Sequence, residues 1–175
     1  KLETIGFDNQ VSFAYYQGLQ AIFEGYTLSP QSNFMEELRM IKDEKELATI
    51  RKACSISDRA FTDVLDFIKP GQTTELQVAN FLDFRMREYG ASGISFESII
   101  ASGYRSAMPH GVASEKVIQS GETLTMDFGC YYNHYVSDMT RTIHIGDTTD
   151  EEREIYDIVL RSNQALIDAA KAGMT

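Results

Sequence analysis

Asp127 and Asp138 stand in the stretch MDFGCYYNHYVSDMTRT, residues 126–142, on sequence that otherwise reads as strand. Strands select against aspartate, and a carboxylate turned toward a core is costly without a partner. Alternation puts Thr123, Thr125 and Asp127 on one face of a first strand, and Asp138, Thr140 and Thr142 on one face of a second. A turn between them, near Tyr132-Asn133, brings the two aspartates opposite or nearly opposite each other. Cross-strand neighbours lie about 4.5–5.5 Å apart at Cβ. Carboxylates that close repel, and one keeps its proton unless a cation lies between them. A divalent ion removes the conflict, and carboxylate oxygens suit hard or borderline ions such as manganese. Two other readings stand beside the metal site: turn-flanking surface residues, and an acid dyad sharing one proton.

His110 lies in SAMPHGVAS, where Pro109 and Gly111 mark an exposed loop, a common place for a working side chain. A solvated loop histidine is the plainer reading. His134 falls at the hairpin tip, and His144 alternates with polar residues on the second strand. Arg141 reads as the partner of a nearby acid, and Tyr131-Tyr132 as packing. No Walker loop, GxGxxG, GxSxG or HExxH motif occurs, so nucleophilic catalysis has no support.

The elements that must position these residues follow from periodicity. Residues 2–34 read as strand, helix, strand: Leu2 to Phe7, Val11 to Phe23, and Tyr26 to Ser29, closed by turn chemistry in SPQSN. That piece is too small for its own core and reads as the tail of a preceding domain. Asp43 with Glu46 opens a long helix in a capping-box pattern, with Leu47, Ile50, Cys54, Phe61, Leu65 and Ile68 as its apolar face. Lys69-Pro70-Gly71 stops it. Thr74 with Gln77 starts a second helix to Glu88, its apolar side Leu76, Ala79, Phe81, Leu82 and Met86. Strands are expected at Ile94–Ala101, Glu122–Tyr132 and His134–Ile145, and a last helix over 150–170, begun by Thr148 and Glu151. Lys-x-Gly-x-Thr closes both IKPGQT and AKAGMT, which suggests that a second copy of a helix–helix–strands unit begins where the chain stops.

Composition narrows the function classes. With 175 residues the chain can bury roughly 70% of its unfolded surface. Its net charge of −10, with no Lys/Arg cluster, argues against a nucleic-acid partner. No apolar run approaches the ~20 residues of a membrane helix, so no membrane partner is expected. Two cysteines, Cys54 and Cys130, without CxxC spacing fit reduced thiols in a cytoplasmic protein better than a disulfide framework. The chain opens at Lys1 directly into strand-like sequence and ends just after a helical pattern, so both ends read as cuts through a longer protein.

ASGYRSAMPHG, a Gly-Glu turn and TMDFGCYYNHYVSDMTRT, in that order, resemble the creatinase-like, pita-bread metallopeptidases, nearest to Xaa-Pro dipeptidase and Xaa-Pro aminopeptidase. The resemblance implies an α+β fold: the first half of the pita-bread fold, antiparallel strands covered by helices, over 34–175. Residues 1–33 would be the tail of an N-terminal α/β domain. It implies a site of two divalent metal ions, manganese foremost with cobalt or zinc as alternatives, and five protein ligands. Asp127 matches the first ligand and Asp138 the bridging second. His110 matches a histidine that contacts substrate and stabilises the tetrahedral intermediate. One histidine and two glutamates would come from beyond Thr175. The implied chemistry is hydrolysis of an Xaa-Pro bond by a metal-bridging hydroxide, on a peptide with proline in second position. The fragment alone should bind metal weakly and not catalyse. The family tends to form homodimers. A non-catalytic binding module of the same fold, creatinase and methionine aminopeptidase are the competing members. Intact Asp127 and Asp138 argue against a metal-free descendant, and the apparent remnant before Ser32 argues for the proline-specific branch.

Overall fold

The computed structural model describes residues 3–174. Leu2, which opens the first expected strand, and Thr175, which ends the second Lys-x-Gly-x-Thr, lie outside them. The chain divides into two compact units, Lys1–Leu47 and Ala48–Thr175.

In the first unit, β1 (Thr4–Asp8), α1 (Phe13–Ile22) and β2 (Thr27–Gln31) follow in the expected order. The strands are parallel, paired from Thr4↔Thr27 to Asp8↔Gln31, as strands joined through a crossover helix must be. Ser12 caps α1 by accepting from Tyr15 N at 3.2 Å. Strand β2 runs on through Pro30 and Gln31, where turn chemistry was expected. An edge strand tolerates proline because one side of its ladder is unpaired. A short helix, α2 (Phe34–Met40), follows and was not foreseen. Its N-cap is Asn33, with Glu36 three residues on, but Asn33 is left-handed (φ 59°) and its side chain makes no capping bond.

The second unit is built on two helices, α3 (Glu44–Phe67), whose first turn holds the unit boundary, and α4 (Glu75–Glu88). Both expected capping boxes form. Asp43 Oδ1 accepts from Glu46 N at 2.8 Å while Glu46 accepts from Asp43 N. Thr74 and Gln77 reciprocate across the start of α4. The apolar stripes match the expected ones in part: Ile68, Leu82 and Met86 are buried as expected, and Phe61, Ala79 and Phe81 pack against the core. On α3 the buried side chains are Ala53, Ile56, Ala60 and Val64, with Ser57 among them, whereas Cys54 and Leu65 are exposed. On α4 they are Val78, Leu82 and Met86, with Glu75 among them, and Leu76 is exposed. Small alanines let α3 approach its neighbours closely, so the buried stripe follows shape complementarity more than side-chain size.

Six short strands follow: β3 (Gly93–Ile94), β4 (Ile99–Ser102), β5 (Glu122–Phe128), β6 (Cys130–Tyr132), β7 (Tyr135–Val136) and β8 (Met139–Ile145). They make two antiparallel sheets, β3-β6-β7 and β4-β5-β8. Residues 94–101 are therefore two strands in different sheets, not one. The long hairpin keeps a single register from Glu122↔Ile145 to Tyr132↔Tyr135. Its two-residue turn is Asn133-His134, one position later than expected, with φ of 47° and 70°. Positive φ at both residues is the turn geometry whose twist matches paired strands. The hairpin changes sheets at Gly129. A Cβ there would collide with the Ser137 carbonyl oxygen and the Ser95 hydroxyl, so only glycine permits the close crossing.

One face of the β4-β5-β8 sheet forms the core. Ile100, Leu124, Met126 and Phe128 pack with Ile56, Val64, Val78, Leu82 and Met86. Each such fully buried side chain contributes about 1.5–3 kcal/mol. The last helix, α5 (Asp150–Ala169), begins with a capping box at Thr149 and Glu152, one residue later than expected. None of its residues is buried, and Ile155, Val159 and Leu166 are exposed. Cys54 and Cys130 are both free thiols. No helix among the described residues is long and apolar enough to cross a membrane.

Candidate metal centre

The second face of the β4-β5-β8 sheet carries the polar residues. The register pairs Asp127 with Thr140, Thr125 with Thr142 and Thr123 with His144. Asp138 lies two positions before Thr140, just ahead of β8, so it shares this face and sits diagonally from Asp127. Diagonal neighbours are about 7–8 Å apart at the backbone, against about 4.5–5.5 Å for a direct pair. The two aspartates are thus close but not directly opposed.

Thr140 orients the first carboxylate, its hydroxyl donating to Asp127 Oδ1 over 2.9 Å. Beside them the Thr125 and Thr142 hydroxyls lie 3.3 Å apart. Asp127 is half-buried and Asp138 exposed. The residue before Asp138 is held from several sides. Ser137 N donates to Cys130 O at 2.9 Å, Cys130 N donates to Ser137 Oγ at 3.0 Å, and Ser95 Oγ donates to Ser137 O at 2.9 Å. The Ser137 and Ser57 hydroxyls meet at 2.7 Å inside the core. These bonds fix where the chain leaves the hairpin crossing and hence where Asp138 begins.

The loop that carries His110 borders the same face. After the 3-10 turn Gly103–Ala107, Gly111 packs so closely on Ala101 that a Cβ would meet the Ala101 methyl at 2.9 Å. Val112 bridges to Ile99, which pairs with Asp127 on its other side. Val112, Ile99, Asp127 and Thr140 therefore form one row across the sheet. His110 stands exposed two residues from the end of that row, its carbonyl accepting from Val112 N at 2.9 Å.

The other histidines are placed differently. His134 is exposed at the hairpin tip. His144 shares the polar face but lies four residues along β8 from Thr140, about 13 Å away. Its Nε2 is 3.3 Å from Glu152 Oε1, without hydrogen-bond alignment. Arg141 lies 4.0 Å from Asp58 on the opposite face, a solvent-exposed pair of the expected kind.

The donor set suits hard divalent ions. Asp127 and Asp138 supply only carboxylate oxygens, one of them preset by Thr140, on a face not filled by core side chains. Among the described residues no three His, Cys, Asp or Glu side chains cluster in ligand range. Two carboxylates alone are fewer than the roughly six or more oxygen ligands such ions take. The supporting residues Thr140, Ser57 and Ser95 were not foreseen as such. Thr140 alone had a signal, its shared face with Asp138.

The family model described as Metallopeptidase family M24 matches residues 48–175. The chain is 42% identical over 175 residues to the uncharacterized peptidase YqhT of Bacillus subtilis, covering 99% of this chain and 49% of that protein. Among solved structures it resembles the Xaa-Pro dipeptidase from Bacillus anthracis (TM-score 0.91, 43% identity, 99% of this chain and 48% of that one). It also resembles the X-Pro aminopeptidase from Thermotoga maritima (TM-score 0.93, 38% identity, 99% and 49%). The chain spans about half the length of the curated relatives it matches. Its antiparallel strands covered by helices are the pita-bread architecture of these structures, as expected from the motifs. With the motifs, the fold and the match over 48–175 in agreement, the chain belongs to metallopeptidase family M24.

Proposed function

We propose that the chain is the first half of the catalytic domain, preceded over 1–33 by the tail of an N-terminal domain, of a peptidase that cleaves Xaa-Pro bonds. Asp127 and Asp138 would hold two divalent ions, manganese foremost, with further ligands supplied from beyond residue 175. When bound, such a pair supplies an activated water at neutral pH and polarises the scissile carbonyl. Asp127, with its carboxylate preset by Thr140, and Asp138, anchored through Ser137, hold the negative charge that fixes this pair in place. His110 donates a hydrogen bond to the oxyanion that develops as the carbonyl is attacked. A glutamate from the second half acts as general base. The two aspartates here supply only −2 against +4, so the fragment alone is inactive. The protein works in the cytoplasm.

The observation that carries this reading is the placement of Asp127 and Asp138 on one open sheet face, beside the row that ends at the His110 loop. The test is Asp138→Asn in the full-length protein, with manganese titration by calorimetry and hydrolysis of an Xaa-Pro dipeptide. Both should fall by more than the about 10–100-fold that loss of a supporting residue costs. Undiminished hydrolysis would overturn the reading.

A further inference from the structure

The most deeply buried carboxylate among the described residues belongs to neither metal ligand. Glu75, in the first turn of α4, has no solvent exposure. Its Oε1 accepts from Ser102 N at 2.7 Å and Ser102 Oγ at 2.9 Å. Its Oε2 accepts from Arg105 Nε at 3.0 Å, Ser114 N at 3.2 Å and Ser114 Oγ at 2.6 Å. Arg105 reaches on, Nη2 donating to Val112 O at 2.6 Å. The backbone repeats the grip, with Leu76 N donating to Ser114 O at 2.9 Å and Glu75 N to Lys116 O at 3.0 Å.

These partners are not scattered. Ser102 precedes the 3-10 turn, Arg105 lies within it, and Ser114 follows the PHG stretch. One carboxylate therefore ties both ends of the segment that carries His110, and Arg105 ties the carbonyl two residues past it. Between these ties the segment has the short-range bonds Met108 N to Arg105 O, Gly111 N to Met108 O and Val112 N to His110 O, with the Val112–Ile99 bridge at its far end. A buried ion pair is a weak source of stability, since well-packed apolar residues of the same volume often serve as well or better. What the pair supplies that apolar packing cannot is direction. Five donors converge on two oxygens, which admits one arrangement of the segment.

We infer that Glu75 and Arg105 are positioning residues for His110, acting on the reaction through the aim of the PHG segment. This rests on the proposed role of His110 at the substrate. Arg105 is the sharper probe, because Arg105→Lys keeps the cation beside Glu75 but cannot also hold Val112 O in a fixed fork.

The experiment is a double-mutant cycle in the full-length protein with Arg105→Lys and His110→Ala, following kcat and KM on an Xaa-Pro dipeptide. Amide hydrogen exchange of the metal-free proteins is followed alongside. Arg105→Lys should lower kcat about 10–100-fold, the range for residues that orient a working group, with KM within about twofold. In the His110→Ala background it should change kcat by less than about twofold. Exchange over residues 108–112 should rise at least about tenfold while β5 and β8 are unchanged. Glu75→Gln should behave alike, and if it fails to fold Arg105→Lys decides. Effects that multiply in the double variant, or unchanged exchange over 108–112, would overturn the inference alone. A silent His110→Ala would overturn the reading of His110 and this inference with it.

Discussion

Thr140 faces Asp127 directly across the β5–β8 pair and donates its hydroxyl to Oδ1 over 2.9 Å. The residue opposite the first aspartate is thus its hydrogen-bond donor, and the second aspartate stands one step further along the same face. A carboxylate held this way is oriented before any cation arrives, which lowers the entropy cost of binding one.

Thr140→Val removes that donor and keeps the β-branched shape. Manganese affinity of the full-length protein should fall about 10–100-fold. Stability should change by no more than about 0.5 kcal/mol, because Thr140 is exposed. Calorimetric titration and thermal unfolding check the two halves. Undiminished affinity would show that the bond is incidental.

Gly129→Ala tests the hairpin crossing. The added methyl meets the Ser137 carbonyl oxygen and the Ser95 hydroxyl. Overpacking of this kind costs about 1–3 kcal/mol, readable as a lower urea midpoint. The displacement acts on the residue before Asp138, so manganese affinity should fall as well. A stable variant with normal affinity would contradict the account of how Asp138 is anchored.

Stability should decline on the acid side. Burial alone would raise the Glu122 carboxyl, but hydrogen bonds from Lys116 and Gln119 N outweigh it and hold it below the usual range. Asp63 is lowered by the Tyr89 hydroxyl and by Arg85, and Glu152 by the backbone and hydroxyl of Thr149. A depressed carboxylate contributes stability that is present above its unfolded-state pKa, about 4 for these groups. That contribution is lost as pH falls through the folded-state value. Melting temperature should therefore hold from pH 7 to about 5 and drop below it. Lys116→Met should cost most at pH 7 and least at pH 3. A penalty that grows on acidification would show the opposite sign and refute the assignment.

The chain of 175 residues, taken alone, should bind manganese only in the millimolar range and leave an Xaa-Pro dipeptide intact. Two carboxylates leave most of the coordination sphere to water, and no third ligand clusters with them among the described residues. Micromolar binding with turnover would mean that another copy completes the site or that five ligands are not needed.

Local rules carried much of the fold into the sequence. The capping boxes at Asp43/Glu46 and Thr74/Gln77 are three-residue patterns closed by neighbouring atoms, so they were legible where they stand. The period-2 faces of Thr125/Asp127 and Asp138/Thr140 were legible for the same reason, since alternation is a property of the extended backbone. The order of motifs from PHG to SDMTRT pointed to the family. What depended on distant partners was not legible. The buried stripe of α3 runs through Ala53 and Ala60 and leaves Leu65 exposed, because the space against α4 and the sheet selects small side chains there. Nothing local marks Glu75, because its partners Ser102, Arg105 and Ser114 lie 27 to 39 residues away in the chain. The diagonal offset of the two aspartates and the crossing at Gly129 were set by a turn one residue later than local signals placed it. Sequence by itself determined which groups could do chemistry and on which faces they lie. Only the tertiary structure decided their register and the bonds that aim them, because those energies belong to contacts between segments far apart in the chain.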